Sequence, residues 1–403
     1  MHRSQRSEEF LPSVYVFLKS SHIKPDIMVL SITSNIQMSK EQALLKECLM
    51  GDIKLRNRVV MAPMTRNRAN NPENAPTDLM AKYYEQRSSA GLIITEGSQI
   101  SKRAVGYINT PGIYSTAQVQ GWKKVTKAVH YKGGKIFLQL WHVGRMSHPD
   151  FHNGELPLAP SALNPNEKSY TPKGLKDTVT PKAMTIDDIK QTVQDFQQGA
   201  KNAMDAGFDG VEIHSSNGYL LHQFFNRTSN IRDDDYGGSI ENRARILFEV
   251  INEIKKVMPA NHIGVRLNPS LHGAFGMILD EESIPTFDYI VERLNDYNLA
   301  YVHLSEPFTD VTNVLYAEPN IAKRYRPKYR GTLIINNNFD QEKGNRVIEE
   351  GLADLVAFGK LFISNPDLPM RFELNAKLTK WDEQTFYTPG EKGYTDYPML
   401  TLR

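Results

Sequence analysis

Three polar side chains fall close together in the segment GVEIHSSNGYLLHQF (210–224): His214, Asn217 and Tyr219. An imidazole and a carboxamide can both donate a hydrogen bond to one oxygen. A tyrosine phenol, with an ordinary pKa near ~10, can deliver a proton where a carbanion or enolate develops. Gly218, between Asn217 and Tyr219, permits a sharp turn. This trio suggests polarisation of a carbonyl group coupled to proton transfer. A metal site fits poorly, because His214 and His222 are eight apart and no third ligand stands at a recognised spacing.

Other chemistry-bearing residues sit at the ends of short apolar runs. Thr65, Gln139 and Arg266 are polar residues in or after such runs, and Gly97 ends another. Arg266 stands in an otherwise apolar segment and needs an anionic or strongly polar partner if buried. That partner is either an acidic neighbour such as Glu212 or a cofactor that gains negative charge. Asn337 and Asn338 end one run, and Gly359 and Lys360 end the next. Asn tolerates positive φ, Gly lets backbone N–H groups approach an anion, and Lys360 supplies countercharge, which together suit a phosphate. A plain turn with a solvated lysine is the alternative. His142, His148 and His152 fall in a polar loop and read as surface residues.

The elements that must position these groups are eight short runs of apolar and β-branched residues. They are RVVMAPM (58–64), LIITEG (92–97), KIFLQLW (135–141), GVEIH (210–214), IGVRLNP (263–269), YVHLSEP (301–307), TLIINN (332–337) and LVAFGK (355–360). Each fits a strand buried on both faces. Segments of helical periodicity separate most of them. Ser115 with Gln118, Thr185 before Asp187 and Asp188, and Ser239 mark helix starts. Gly207 marks a helix end. Eight alternating units predict a parallel sheet closed into a single (β/α)₈ barrel. An open Rossmann sheet lacks support, since no Gly-x-Gly-x-x-Gly follows any strand. Residues 142–184 form a long loop after strand three, expected to act as a lid or binding loop. The tail from Trp381 is expected to be ordered by contacts rather than helical.

Composition narrows the function. Among 403 residues, 48 Lys+Arg stand against 46 Asp+Glu, a formal charge of +2, which argues against a nucleic-acid binder. The single cysteine, Cys48, excludes an intrachain disulfide, cysteine-based zinc sites and a cysteine-ligated iron–sulfur cluster. No apolar run reaches the roughly 18 residues that span a bilayer. Residues 1–41 are expected to be a flexible extension, in which Met1, Met28 or Met38 could be the start, and 42–403 the barrel domain. A cytoplasmic monomer or homodimer is expected, with organelle targeting by the extension as an alternative.

Several long motifs occur in order: NRVVMAPMTRNRA, AGLIITEGSQIS, TPGIYS, IFLQLWHVGR, GFDGVEIHSSNGYLLHQF, YGGSIENR, ADLVAFGKLFISNPDLP, and TFY followed by GYTDYP. On these, from about Leu55 to Tyr397, the chain resembles the old yellow enzyme family of FMN-dependent NADPH ene-reductases. The resemblance implies non-covalent FMN as cofactor and NADPH as reductant. Pro63, Met64, Thr65, Gly97 and Gln139 would contact the flavin ring, and Arg266 would face N1 and O2 of the anionic reduced form. Asn337, Asn338, Gly359 and Lys360 would hold its phosphate. His214 and Asn217 would grip the carbonyl oxygen of an enone or enal, Tyr219 would protonate it, and Trp141, Phe386 and Tyr387 would line the pocket.

The sequence departs from the family pattern in three places. Lys360 stands where Arg is usual, Asn337 where Gly is usual, and His222 where an Asp is common. Lysine keeps the charge and loses the bidentate fork. Thr65 stands where a second branch of the family has Cys, which places the chain nearer the plant, yeast and enterobacterial branch. The same site would also suit nitro compounds or nitrate esters. Readings from other classes are a flavin-free, phosphate-binding barrel lyase or isomerase, and a non-enzymatic carrier of FMN or a phenolic ligand.

Overall fold

The computed structural model describes residues 42–401, so the expected extension at 1–41 lies outside the described residues. All eight apolar runs form strands: β1 Val59–Met61, β2 Leu92–Ile94, β3 Ile136–Trp141, β4 Gly210–His214, β5 Ile263–Leu267, β6 Tyr301–Ser305, β7 Leu333–Asn336 and β8 Leu355–Phe358. Each pairs in parallel with the next, and β8 pairs with β1, which closes the barrel. A helix follows each strand: α1 Asp78–Glu85, α2 Thr116–Tyr131, α3 Ile186–Asp205, α4 Ile240–Ile254, α5 Ser283–Leu294, α6 Ile321–Tyr325, α7 Gln341–Glu349 and α8 Lys360–Ser364.

Local sequence sets the helix starts. Ser115 and Gln118 form a reciprocal capping box at α2, as do Thr185 and Asp188 at α3. The Ser239 hydroxyl accepts from the Asn242 N–H at α4. Gly207 ends α3 at φ +85°, a conformation that costs glycine little.

Among the described residues the core falls into three clusters, of which the smallest, Trp141, Val143, Met146 and Tyr219, lies at the barrel mouth. Outside the barrel wall, Leu138, Val211, Val265 and Val302 pack against helix residues such as Phe196, Leu247 and Ile290. Inside it, Val60, Leu92, Phe137, Tyr301, Ile334 and Leu355 fill the lower half. The antiparallel hairpin Cys48–Met50 and Ile53–Leu55 supplies Met50, Ile53 and Leu55 to this inner cluster. Gly264 of β5 has no room for a side chain: a Cβ there would meet the Tyr301 ring at 2.2 Å. Above this floor the inward positions of β3 to β6 turn polar, with Gln139, Glu212, Arg266 and His303 all buried. Barrel interiors are usually layers of Val, Ile and Leu.

The loop at 142–184 folds over the top of the barrel and carries the hairpin Lys168–Thr171 and Gly174–Asp177. It overturns one expectation: His142, His148 and His152 are buried. The Gly144 N–H donates to His142 Nδ1, the Asp150 N–H to His148 Nδ1, and Ser147 Oγ lies 2.8 Å from His152 Nε2. These imidazoles organise the loop's own turns instead of facing solvent. The C-terminal tail is tied down by two buried arginines. Arg66 donates to the carbonyls of Phe386 and Gly393, and Arg68 to those of Thr385, Phe386 and Lys392.

Candidate active site

The upper ends of β1 to β5 enclose a small cavity of about 100 Å³ lined by Pro63, Thr65, Gly97, Gln139, Trp141, His214, Asn217, Tyr219 and Arg266. Every one of these was named from the sequence. A larger cavity of about 640 Å³ opens beside it and shares Thr65, Trp141 and Tyr219. Tyr387 lines this outer cavity, as expected. Phe386 is not among the lining residues of either: its ring lies 5.8 Å from the Arg66 guanidinium carbon, and its carbonyl holds Arg66 and Arg68.

The inner cavity's polar groups are oriented by their neighbours. The Ser216 N–H and hydroxyl lie 3.4 and 3.3 Å from His214 Nδ1. Nδ1 thus acts as acceptor, so the neutral ring carries its proton on Nε2. Burial, aided by Arg266, His222 and His303, keeps the His214 pKa well below the ordinary histidine value. Asn268 Nδ2 donates to Asn217 Oδ1 at 3.0 Å, leaving the Asn217 amide N–H₂ as its free face. Asn217 sits at φ +55° and Gly218 at φ +74°. A Cβ on Gly218 would meet Phe275 Cβ at 2.5 Å, so the turn needs glycine for space as well as conformation.

Aromatic rings fix Tyr219. Trp141 and Phe275 pack at 5.0 and 5.6 Å between centroids, and the His214 ring stands at 5.1 Å and 89° to the phenol. Tyr107 stacks on Trp141 at 5.4 Å, and its hydroxyl lies 3.0 Å from that of Tyr219. Burial, then Tyr107, raises the Tyr219 pKa well above the ordinary phenol value, so the group is a protonated donor at neutral pH. Burial pushes Tyr107 up to about 12. Tyr107 and Phe275 were not singled out in the sequence. The only signal for Phe275 was its place between Gly273 and Gly276, where it takes φ +54°.

Arg266 is held by a polar neighbour in the barrel interior and makes no direct ion pair with Glu212. It lines the cavity, and its Nη1 donates to His303 Nε2 at 2.6 Å. His303 Nδ1 lies 2.8 Å from Glu212 Oε2, so Glu212 is an indirect partner through an imidazole the sequence reading passed over.

The β7–β8 side is built differently. Asn337 and Asn338 stand at φ +79° and +60°, so Asn337 does adopt the backbone for which glycine is usual. Its Nδ2 donates to the carbonyls of Glu306 and Pro307. Gly359 is open: the nearest atom to a Cβ there would be Met64 Sδ at 3.5 Å. Met64 therefore belongs to this side rather than to the inner cavity. Lys360 Nζ pairs with Glu383 Oε1 at 2.8 Å and lies over the Trp381 ring.

These donors fit FMN. Thr65, Gln139 and Arg266 offer hydrogen bonds in a confined space, suited to a flat heterocycle, and the left-handed Asn337–Asn338 turn beside open Gly359 suits a phosphate. Among the described residues no group of three or more His, Cys, Asp or Glu could hold a metal ion. No helix among them is long and apolar enough to cross a membrane.

Comparison with known proteins agrees. Residues 44–379 match the NADH:flavin oxidoreductase / NADH oxidase family. The chain is 42% identical over 362 residues to 12-oxophytodienoate reductase 1 of Oryza sativa subsp. japonica, covering 89% of this chain and 93% of that protein. It is 40% identical to flavin oxidoreductase hxnT of Emericella nidulans, covering 90% and 99%. Among solved structures, morphinone reductase superposes with a TM-score of 0.84 at 43% identity, covering 90% of this chain and 97% of that one. The old yellow enzyme homologue of Zymomonas mobilis gives 0.84 at 38%, covering 89% and 100%. The chain thus belongs to the NADH:flavin oxidoreductase / NADH oxidase family and is an FMN-dependent ene-reductase of the old yellow enzyme type.

Proposed function

We propose that this enzyme uses NADPH to reduce the C=C bond of α,β-unsaturated carbonyl compounds, with His214 and Asn217 as oxyanion donors and Tyr219 as the acid. The observation that carries the assignment is the disposition of acceptors. Ser216 engages His214 Nδ1 and Asn268 engages Asn217 Oδ1, so both residues turn a donor toward one cavity that Tyr219 also lines. Preset donors of this kind stabilise charge as it develops on a carbonyl oxygen.

Thr65, Gly97, Gln139 and Arg266 would hold FMN, which when bound would supply the hydride chemistry, with NADPH as the reductant. Asn337, Asn338, Gly359 and Lys360 would hold the FMN phosphate, with Pro63 and Met64 along the near edge. His214 and Asn217 orient the carbonyl. Tyr219 then releases its phenolic proton to Cα, and Tyr107 is placed to donate to the oxygen left behind. Trp141 and Tyr387 bound the space available to the substrate. The enzyme is read as a cytoplasmic monomer or homodimer.

Anaerobic rapid mixing tests the reading. In Tyr219→Phe, FMN reduction by NADPH should be spared while reoxidation by 2-cyclohexenone slows about 10²–10⁴-fold, the usual worth of a positioned acid. Equal loss in both half-reactions would remove Tyr219 from the acid role. Nitro compounds, for which proton delivery by the phenol is less essential, should be turned over by the variant at near the parent rate.

A further inference from the structure

One buried group has no part in the reaction as described. Glu212 is fully buried in the middle of β4, one inward position below His214. Its two oxygens take different partners. Gln139 Nε2 donates to Oε1 at 2.7 Å, and His303 Nδ1 donates to Oε2 at 2.8 Å. His303 also accepts from Arg266 Nη1, which lies 2.6 Å from Nε2 and 3.1 Å from Nδ1. Only one tautomer satisfies this chain, a neutral ring with its proton on Nδ1. Gln139 and Arg266 both line the inner cavity, whereas Glu212 and His303 lie beneath it.

We propose that Glu212 is a positioning residue that sets the orientation of Gln139 and the effective charge of Arg266 toward the flavin, and so holds the reduction potential of bound FMN down. This rests on FMN occupying the inner cavity. Because one Gln139 amide N–H is committed to Glu212, the carboxamide is held in one orientation, which fixes where its remaining N–H and its carbonyl oxygen can meet a ligand. Because Arg266 is coupled through His303 to a carboxylate, part of its charge is compensated before any ligand arrives. A buried carboxylate adds little to stability, since apolar packing of the same volume does as well or better. Its other consequence is electrostatic: in a poorly screened interior one unit charge biases the equilibrium of a neighbouring one strongly. Removing the Glu212 charge leaves Arg266 less compensated, which favours the reduced, more negative flavin.

The test is the midpoint potential of FMN in the purified holoenzyme, measured anaerobically against a reference dye, with FMN dissociation followed by its fluorescence. Glu212→Gln should shift the equilibrium about tenfold toward reduced flavin, which for two electrons is about 30 mV positive. Glu212→Asp, which keeps the charge, should stay within about threefold of the parent. A merely structural role would weaken both redox states alike and leave the potential in place. An unchanged potential in Glu212→Gln with FMN bound overturns the proposal. If that variant does not hold FMN, His303→Asn, which keeps the Glu212 charge and cuts only the hydrogen-bonded link to Arg266, should show a smaller shift of the same sign, and no shift there would overturn the proposal. A parent protein that binds no FMN would instead sink the flavin reading beneath it.

Discussion

The β4 side of the barrel mouth and the β7–β8 side place their polar groups by different means. On the β4 side, His214, Asn217 and Tyr219 are buried or nearly so, their acceptors are engaged by Ser216 and Asn268, and aromatic rings wall them in. On the other side, Asn337 and Asn338 are placed by left-handed backbone, Gly359 faces open space, and the Lys360–Glu383 pair is 57% and 63% exposed. The difference suits the two proposed tasks. Stabilising a transient charge needs fixed donors shielded from water, whereas holding a permanent phosphate needs backbone N–H groups and charge that water can partly screen. Perturbing each side should therefore give different responses to pH, truncation and salt.

The largest response expected is to acid, and it belongs to the buried side. Burial lowers the pKa of His142 and His222 to about 3 and of His152 and His303 to about 4, and that of His214 falls well below the ordinary value. These rings are neutral when folded and titrate near ~6.5 when unfolded. Their contribution to stability is intact above that pH. It is lost as pH falls toward the folded values, by about 1.4 kcal/mol per group per pH unit. Glu96 runs the other way: burial raises its pKa to about 7, so it binds a proton earlier in the folded chain and offsets one histidine. Urea midpoints should fall steeply between about pH 6 and 4.5. A flat profile there would show that the rings are hydrated.

Next in size are the proposed oxyanion donors. His214→Ala or Asn217→Ala should each remove about 2–4 kcal/mol of transition-state stabilisation for enone reduction, read as kcat/KM. FMN reduction by NADPH is not expected to need Tyr219, so Tyr219→Phe combined with either donor variant separates polarisation from proton delivery. Tyr107→Phe should have a smaller effect. Its hydroxyl gives Tyr219 one hydrogen bond, so its loss should slow enone-driven reoxidation by roughly five- to tenfold, the worth of about 1 kcal/mol, while stacking on Trp141 survives. A loss as large as that in Tyr219→Phe would mean the two tyrosines had been assigned in the wrong order.

The two sides also differed in how well the sequence exposed them. The eight strands were legible because parallel strands buried on both faces read as unbroken apolar runs, and the polar residues at their ends stood out against them. Glu212 and His303 were harder. In a strand buried on both faces, hydrophobicity does not mark which residues point inward, and parity shows only once Gln139, His214 and Arg266 are seen to share the interior. The loop histidines were misread because nothing local shows that residues 142–184 fold back over the barrel; burial there is a tertiary effect. Phe386 and Tyr387 are adjacent, and only the path of the tail, set by Arg66 and Arg68, decides which one reaches the cavity.

The smallest response belongs to the exposed side, and it tests whether Lys360 competes between two anions. Glu383 holds Lys360 Nζ at 2.8 Å, so a bound phosphate would share that cation with a carboxylate. Glu383→Gln should free the lysine and tighten FMN binding; Lys360→Ala should weaken it. Lys360→Arg should tighten it by restoring a fork that can grip phosphate and carboxylate together. Each change should stay below about tenfold, because water screens charges this exposed. The ranking of FMN dissociation constants should also compress as salt rises from about 0.01 to 1 M, where the screening length drops from roughly 30 to 3 Å. Parallel variants at His214 should show no such compression. Salt-independent differences at Lys360 would mean that this side is as closed as the other, and that the contrast between them does not hold in solution.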